Sequence, residues 1–225
     1  MIYTLSALAL RWSVENLMAS ESLASALDLK HGTKIFSYLS SHEQMEAMYR
    51  VGVSWDRRLG LQQDCRQQYR VNPLSLRVIS PISLPEGQSV PTTGQWVCRF
   101  GFERCGETKI YNAMFVAKDG IKPEVVASWP GVTNASPQLI SDAMLTAAVK
   151  ASTKLKQEQG IECKDSKDII ISDMEITQQP HDLVESGKTY AGVWQERWSF
   201  IACGQPVDIL IDFVPDGKGG TYFHA

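Results

Sequence analysis

Along this chain apolar positions recur first at helical spacing and then in strict alternation, and the sequence runs through that cycle twice. In SHEQMEAMYRVGVSWDRRLG (41–60), Met45, Met48, Trp55 and Leu59 lie roughly on one face. Ser41 and Gln44 fit a capping box at its start, and Gly60 is a natural stop. In SPQLISDAMLTAAVKASTKLKQEQG (136–160), Ile140, Ala143, Met144, Ala147, Ala151 and Leu155 form one apolar stripe. Ser136 suits the N-cap, Pro137 the first helical position and Gly160 the C-terminal stop. After each helix the period drops to two. LSLRVISPI, GQWVCRFGFERC and TKIYNAMFVAKDG follow the first, and DIIISDMEI, YAGVWQERWSFIAC and VDILIDFVPDG follow the second. These runs are rich in β-branched and aromatic residues and end in Gly, Pro or Asp-Gly turn chemistry, so they read as strands. PEVVASW (123–129) adds a strand to the first set, and Tyr222-Phe223 a short last strand to the second.

The two sets align. Holding Cys105 on Cys203 (203 − 105 = 98) without gaps puts Gly94 on Gly192, Trp96 on Trp194, Arg99 on Arg197, Phe102 on Phe200, Gly106 on Gly204, Phe115 on Phe213 and Val116 on Val214. With the cysteines that is 8 identities in the 23 positions 94–116, where roughly one or two are expected from average residue usage. The same offset carries Cys65 onto Cys163. The expected fold is therefore α+β: an internal duplication of an α-β-β-β unit, with antiparallel sheets packed against helices. The expected boundaries are an N-terminal helical segment at 1–39, a first repeat at 40–130 and a second at 131–225. The apolar run MIYTLSALAL has no basic stretch before it, and Arg11 and Glu15 interrupt the pattern of a signal peptide. An amphipathic helix is the reading preferred there.

Composition narrows the function classes. A formal charge of −3 and the lack of any Lys/Arg cluster give no footprint for nucleic acid. No apolar run reaches the ~18–20 residues that span a bilayer.

Four of the five cysteines fall in equivalent pairs 40 residues apart, Cys65 with Cys105 and Cys163 with Cys203. Of the three possible connectivities, only this one closes the same loop in each copy. Such bonds persist in oxidising compartments, which points to a periplasmic or extracellular location. Cys98 has no counterpart, since Glu196 stands at the matching position. Along a strand, seven steps of ~3.3 Å place Cys98 about 20 Å from Cys105, beyond bonding reach. It reads as a free thiol packed as a small hydrophobe. No close C-x₂₋₄-C spacing suggests zinc, and no C-x-x-C suggests a redox site.

No catalytic, cofactor-binding or metal-ligating constellation is legible. His31, His42, His181 and His224 form no ligand spacing. Asp208 and Asp212 alternate with Val207, Ile209, Ile211 and Phe213, the pattern of a half-buried strand. PDGKGGT (215–221) has no room for the helix that follows a phosphate loop and reads as a wide turn. The remaining lead is aromatic. Trp96, Phe100, Trp194 and Trp198 share strand parity with Phe102 and Phe200. They read first as core, with an exposed interaction platform as the alternative.

One segment, IYNAMFVAKDGIKPEVVASWPGVTNASPQLISDAMLTAA (110–148), resembles the C-terminal domains of the TonB and TolA envelope proteins. The shared order is a strand, an Asp-Gly turn, a second strand and a helix with a Leu-x-x-Asp-Ala pattern (Leu139, Asp142, Ala143). The resemblance implies an envelope interaction domain that engages partners through a sheet edge. The cysteines and the duplication depart from that family. The leading reading is a non-enzymatic, disulfide-stabilised envelope or secreted protein that binds another protein, without cofactor, and with self-association compatible. Two others stay open: a hydrolase-type enzyme with a site between the repeats, using residues such as His181, Asp182 or Asp208, and a cytoplasmic structural subunit with reduced cysteines.

Overall fold

The computed structural model describes residues 32–66, 69–185 and 187–225. The helix expected of MIYTLSALAL and most of the 1–39 segment lie outside these. Two helices, α1 (Gly32–Leu39) and α2 (His42–Leu59), precede strands β1 (Arg70–Ser83), β2 (Thr93–Arg104), β3 (Glu107–Lys118) and β4 (Glu124–Ala127). Helix α3 (Pro137–Gln159) then precedes β5 (Ile169–Glu185), β6 (Lys188–Ala202), β7 (Gln205–Pro215) and β8 (Thr221–His224). The strands form two separate antiparallel sheets in sequential order, β1-β2-β3-β4 and β5-β6-β7-β8. The architecture is thus α+β, with four strands per sheet: the three of each repeat unit and the additional short strands expected at 123–129 and at Tyr222-Phe223, here β4 and β8. The chain divides after Ser128 into two compact units.

The helix ends follow from their residues. The Ser41 and Ser136 side chains accept from the N–H groups of Gln44 and Leu139, and Gly60 and Gly160 close α2 and α3 in the left-handed region. The capping box is only half made. Gln44 turns inward instead of reaching back to Ser41, and its amide nitrogen donates to the Tyr38 hydroxyl at 3.1 Å. Accordingly the buried face of α2 runs through Gln44, Ala47, Met48, Val51, Gly52, Trp55 and Asp56, so Met45 and Leu59 sit at its margins. That face lies close to the sheet. A Cβ on Gly52 would stand 2.6 Å from the Phe102 ring. On α3 the buried stripe is Ile140, Ala143, Ala147, Ala151 and Leu155, with Met144 at its edge.

Each sheet turns its aromatic parity toward the helix side. Trp96, Phe100, Phe102, Tyr111 and Phe115 are buried in the first unit, and Trp198, Phe200, Ile211 and Phe213 in the second. At the 98-residue offset even ring geometry repeats. Trp96 stacks on Phe115 at 5.4 Å between centroids, and Trp194 on Phe213 at 4.8 Å. The β2–β3 and β6–β7 connections are both two-residue Cys-Gly turns. Cys105 and Gly106 have φ of 46° and 81°, and Cys203 and Gly204 have 51° and 78°. Two positive φ values in succession match the twist of the flanking strands, and glycine takes the second without steric cost.

Strand β5 is the main departure from the sequence reading, which ended it at Ile176. It continues to Glu185 through Pro180. Proline lacks an N–H to give a neighbour, and β5 is an edge strand with only β6 beside it, so nothing is lost.

Candidate functional site

The four paired cysteines form two disulfides, Cys65–Cys105 and Cys163–Cys203, with Cα–Cα distances of 6.0 and 5.7 Å and a separation of 40 residues each. Each ties the segment after a helix to the Cys-Gly turn of the central hairpin, at the same place in both units. Cys98 is unpaired and buried. Burial pushes its thiol from 9.0 up to about 12, which holds it in the unreactive protonated form.

The residues proposed for hydrolysis do not converge. His181 is exposed, with Nδ1 3.0 Å from the Gln179 carbonyl, while Asp182 accepts from the Gly192 N–H. Asp208 accepts from Ser199 Oγ at 2.7 Å, and Asp212 from Gln195 Nε2 at 2.8 Å. His181 pairs with Val193 and Asp208 with Ser199. The six steps along β6 between Val193 and Ser199 amount to about 20 Å, too far for one reacting centre. The turn at 215–221 is organised by Asp216, which accepts from the N–H groups of Lys218 and Gly220. Among the described residues no group of three or more His, Cys, Asp or Glu could hold a metal ion.

Trp96, Phe100, Trp194 and Trp198 are 0%, 0%, 8% and 0% exposed. They belong to the cores, and the aromatic platform is corrected accordingly. An inward-facing parity on a sheet covered by a helix leaves no open side for a ligand.

Sequence reasoning missed two buried polar centres. Asp56 on α2 receives Arg104 Nε at 2.6 Å and the Tyr111 hydroxyl at 2.5 Å, tying helix to sheet in the first unit. The second unit has neither partner, because Ala202 stands where Arg104 would (104 + 98 = 202) and Ile209 where Tyr111 would (111 + 98 = 209). There the buried acid is Glu196, 0% exposed. Trp194 Nε1 donates to its Oε1 at 2.8 Å and Trp198 Nε1 to its Oε2 at 2.9 Å. Thr133 Oγ1 lies 2.9 and 2.7 Å from the two oxygens, and Asn134 N–H donates at 2.8 Å. The loop that delivers Thr133 and Asn134 presses on β5 at Gly131, where a Cβ would lie 2.3 Å from the Met174 backbone. Val132 N–H donates to the Met174 carbonyl beside it. Cys98 occupies the place of Glu196 in the first unit, and there Trp96 Nε1 is buried without a partner. The sequence signal was a Glu at core parity between two tryptophans.

In the first unit a surface pocket of about 410 Å³ is lined by Lys34, Ser37, Tyr38, Ser41, Glu43, Leu84, Gln88 and Ser89. In the second, β7 pairs with β6 only as far as Trp194, while β5 and β6 continue together to Glu185 and Lys188. This two-stranded arm exposes Leu183 (38%) and Val184 (70%). The matching segment of the first unit, residues 84–92, is instead folded back as a loop with Leu84 and Pro91 buried.

No protein family, curated protein or solved structure matches this chain.

Proposed function

We propose that this is a non-enzymatic, disulfide-stabilised protein of an oxidising compartment, periplasmic or extracellular, that works by binding another protein. The observation that carries the reading is the pair of disulfides at equivalent places. A 40-residue loop closed in each unit stabilises the fold only where thiols remain oxidised. The chemistry of the side chains supports it. The buried acids of both units are held by internal donors, and the histidines and carboxylates considered for hydrolysis are spread along strands. The exposed arm is the feature with the composition of a binding surface. No helix is long and apolar enough to cross a membrane among the described residues.

The repeat at 98 residues we read as an internal duplication. Ring stacking, turn conformation and disulfide placement support it. The likeness to TonB and TolA C-terminal domains enters here as a reading of compartment and binding only. Its segment (110–148) takes in most of β3, all of β4 and the first half of α3, which fall on either side of the division after Ser128.

The test is to produce the chain with and without export to an oxidising compartment of one bacterial host. The reading predicts that soluble, protease-resistant protein accumulates in the exported form and that the cytosolic form is degraded. Equal stability of both, with reduced cysteines in the cytosolic form, would overturn it.

A further inference from the structure

Among the described residues the second unit carries one long helix ahead of its sheet and the first carries two, and the segment that extends as the arm in the second unit is folded back in the first. Both differences meet at the pocket of about 410 Å³, which is built by Lys34, Ser37 and Tyr38 of α1, the start of α2, and Leu84, Gln88 and Ser89 of the returning loop. Its walls are anchored. Ile35 and Tyr38 on α1 and Leu84 in the loop are buried, and the Thr92 N–H donates to the Ser83 carbonyl at 2.8 Å to close the loop. The volume falls in the range of about 300–1,000 Å³ typical of small-molecule sites.

Donors dominate the lining. Lys34 is exposed and has no ion-pair partner among the described residues. The Tyr38 hydroxyl, on a side chain 7% exposed, accepts from Gln44 Nε2 at 3.1 Å. Its own proton is not taken by that amide, because Gln44 Oε1 is buried without a partner. Burial, with the Glu43 carboxylate adding to it, pushes the hydroxyl up to about 12, so it is a donor at neutral pH. Ser37 and Ser89 add hydroxyls, and the 18-residue helix α2 adds the positive end of its dipole. The carboxylate in the lining, Glu43, is already held by Lys122 Nζ at 2.8 Å. Two ammonium groups against one carboxylate leave the pocket net positive.

We infer that this pocket binds a small organic oxyanion, a carboxylate or a phosphate ester, whose oxygens accept from the Lys34 ammonium and the Tyr38 hydroxyl. Leu84 supplies apolar contact for its carbon skeleton. Binding of this kind belongs to the first unit and is separate from the protein-binding reading above. A neutral ligand of the same size leaves Lys34 unpaired and gains little from the end of α2.

The test is a two-dimensional amide NMR titration of the full chain at constant ionic strength. The probes are succinate, inorganic phosphate, and succinamide as the neutral counterpart of succinate. Succinate or phosphate is expected to shift the amides of Ser37, Tyr38 and Ser89 along a saturating curve with a Kd of about 1 mM or tighter, and succinamide to shift none of them. Lys34→Gln, an exposed change that spares the core, should raise that Kd about fivefold. Tyr38→Phe should raise it about as much, and Lys150→Gln, exposed on α3, should leave it unchanged. Saturation by succinate alone assigns a carboxylate ligand, and saturation by phosphate alone a phosphate ester. The inference is overturned if neither oxyanion saturates up to about 50 mM, if succinamide binds equally well, or if Lys34→Gln or Tyr38→Phe leaves the Kd unmoved.

Discussion

Replacing Glu196 by alanine is expected to be among the most damaging single changes in the second unit, although no reacting atom is involved. Glu196 is 0% exposed and takes three N–H donors, from Trp194, Trp198 and Asn134, besides the Thr133 hydroxyl. Truncation orphans all three. A buried donor without an acceptor costs about 1–3 kcal/mol, so the sum lies near 3–9 kcal/mol. Water admitted into the vacated space re-satisfies some of them, which brings the expected loss to about 4–6 kcal/mol. Total stabilities of domains run at about 5–15 kcal/mol, so the second unit would be left marginal. Glu196→Gln keeps the volume and one acceptor oxygen but turns an amide N–H₂ toward an indole N–H, for a loss of about 2 kcal/mol. The control is Cys98→Ala at the matching position (98 + 98 = 196), where the side chain has no donor to satisfy; about 1 kcal/mol is expected from lost packing. Urea unfolding followed by tryptophan fluorescence and near-ultraviolet circular dichroism reads all three variants. A Glu196→Ala loss under about 1.5 kcal/mol, or one no larger than that of Cys98→Ala, would refute the reasoning.

Three further outcomes follow from the geometry. Gly52→Ala should destabilise the first unit by about 1–2 kcal/mol in the same assay, because the new Cβ meets the Phe102 ring at 2.6 Å and overpacking outweighs the gain in helix propensity. Replacing Cys163 and Cys203 together by serine should lower stability by about 4 kcal/mol in the chain-entropy model for a 40-residue loop, measured against the intact chain without reductant. Cys98 and Tyr38 are both raised to about 12 by burial, from 9.0 and 10.0, with Glu43 adding to the effect on Tyr38. Folding holds their protons more tightly, so the stability they confer is complete below pH 9 and is lost as pH rises toward 12. Urea midpoints between pH 7 and pH 11 should fall accordingly, and a thiol reagent at pH 8 should leave Cys98 untouched until denaturant is added.

Much of this architecture was written in local signals. The Ser caps, Gly stops, alternating aromatic runs and Cys-Gly pairs each act within a few residues, and each sits where its local chemistry predicts. What was hidden depends on contacts distant along the chain. Asp56 meets Arg104 and Tyr111 from 48 and 55 residues away. Glu196 meets a loop 62 and 63 residues upstream. A polar residue at core parity looks like an error in a strand pattern until its partners are located, which hides Arg104 as well, and Gln44 reads as a cap because its buried partner Tyr38 belongs to another helix. The length of β5 was obscured for another reason: GlnGlnProHis looks like a loop unless the strand is known to be an edge.

The account stands most directly on its disulfides, and the measurement is a thiol count with peptide mapping on protein purified without reductant and alkylated in denaturant. The account predicts one alkylated cysteine, Cys98, with the other four recovered as the linked pairs 65–105 and 163–203. Five alkylated cysteines, or links that cross between the two units, would contradict it.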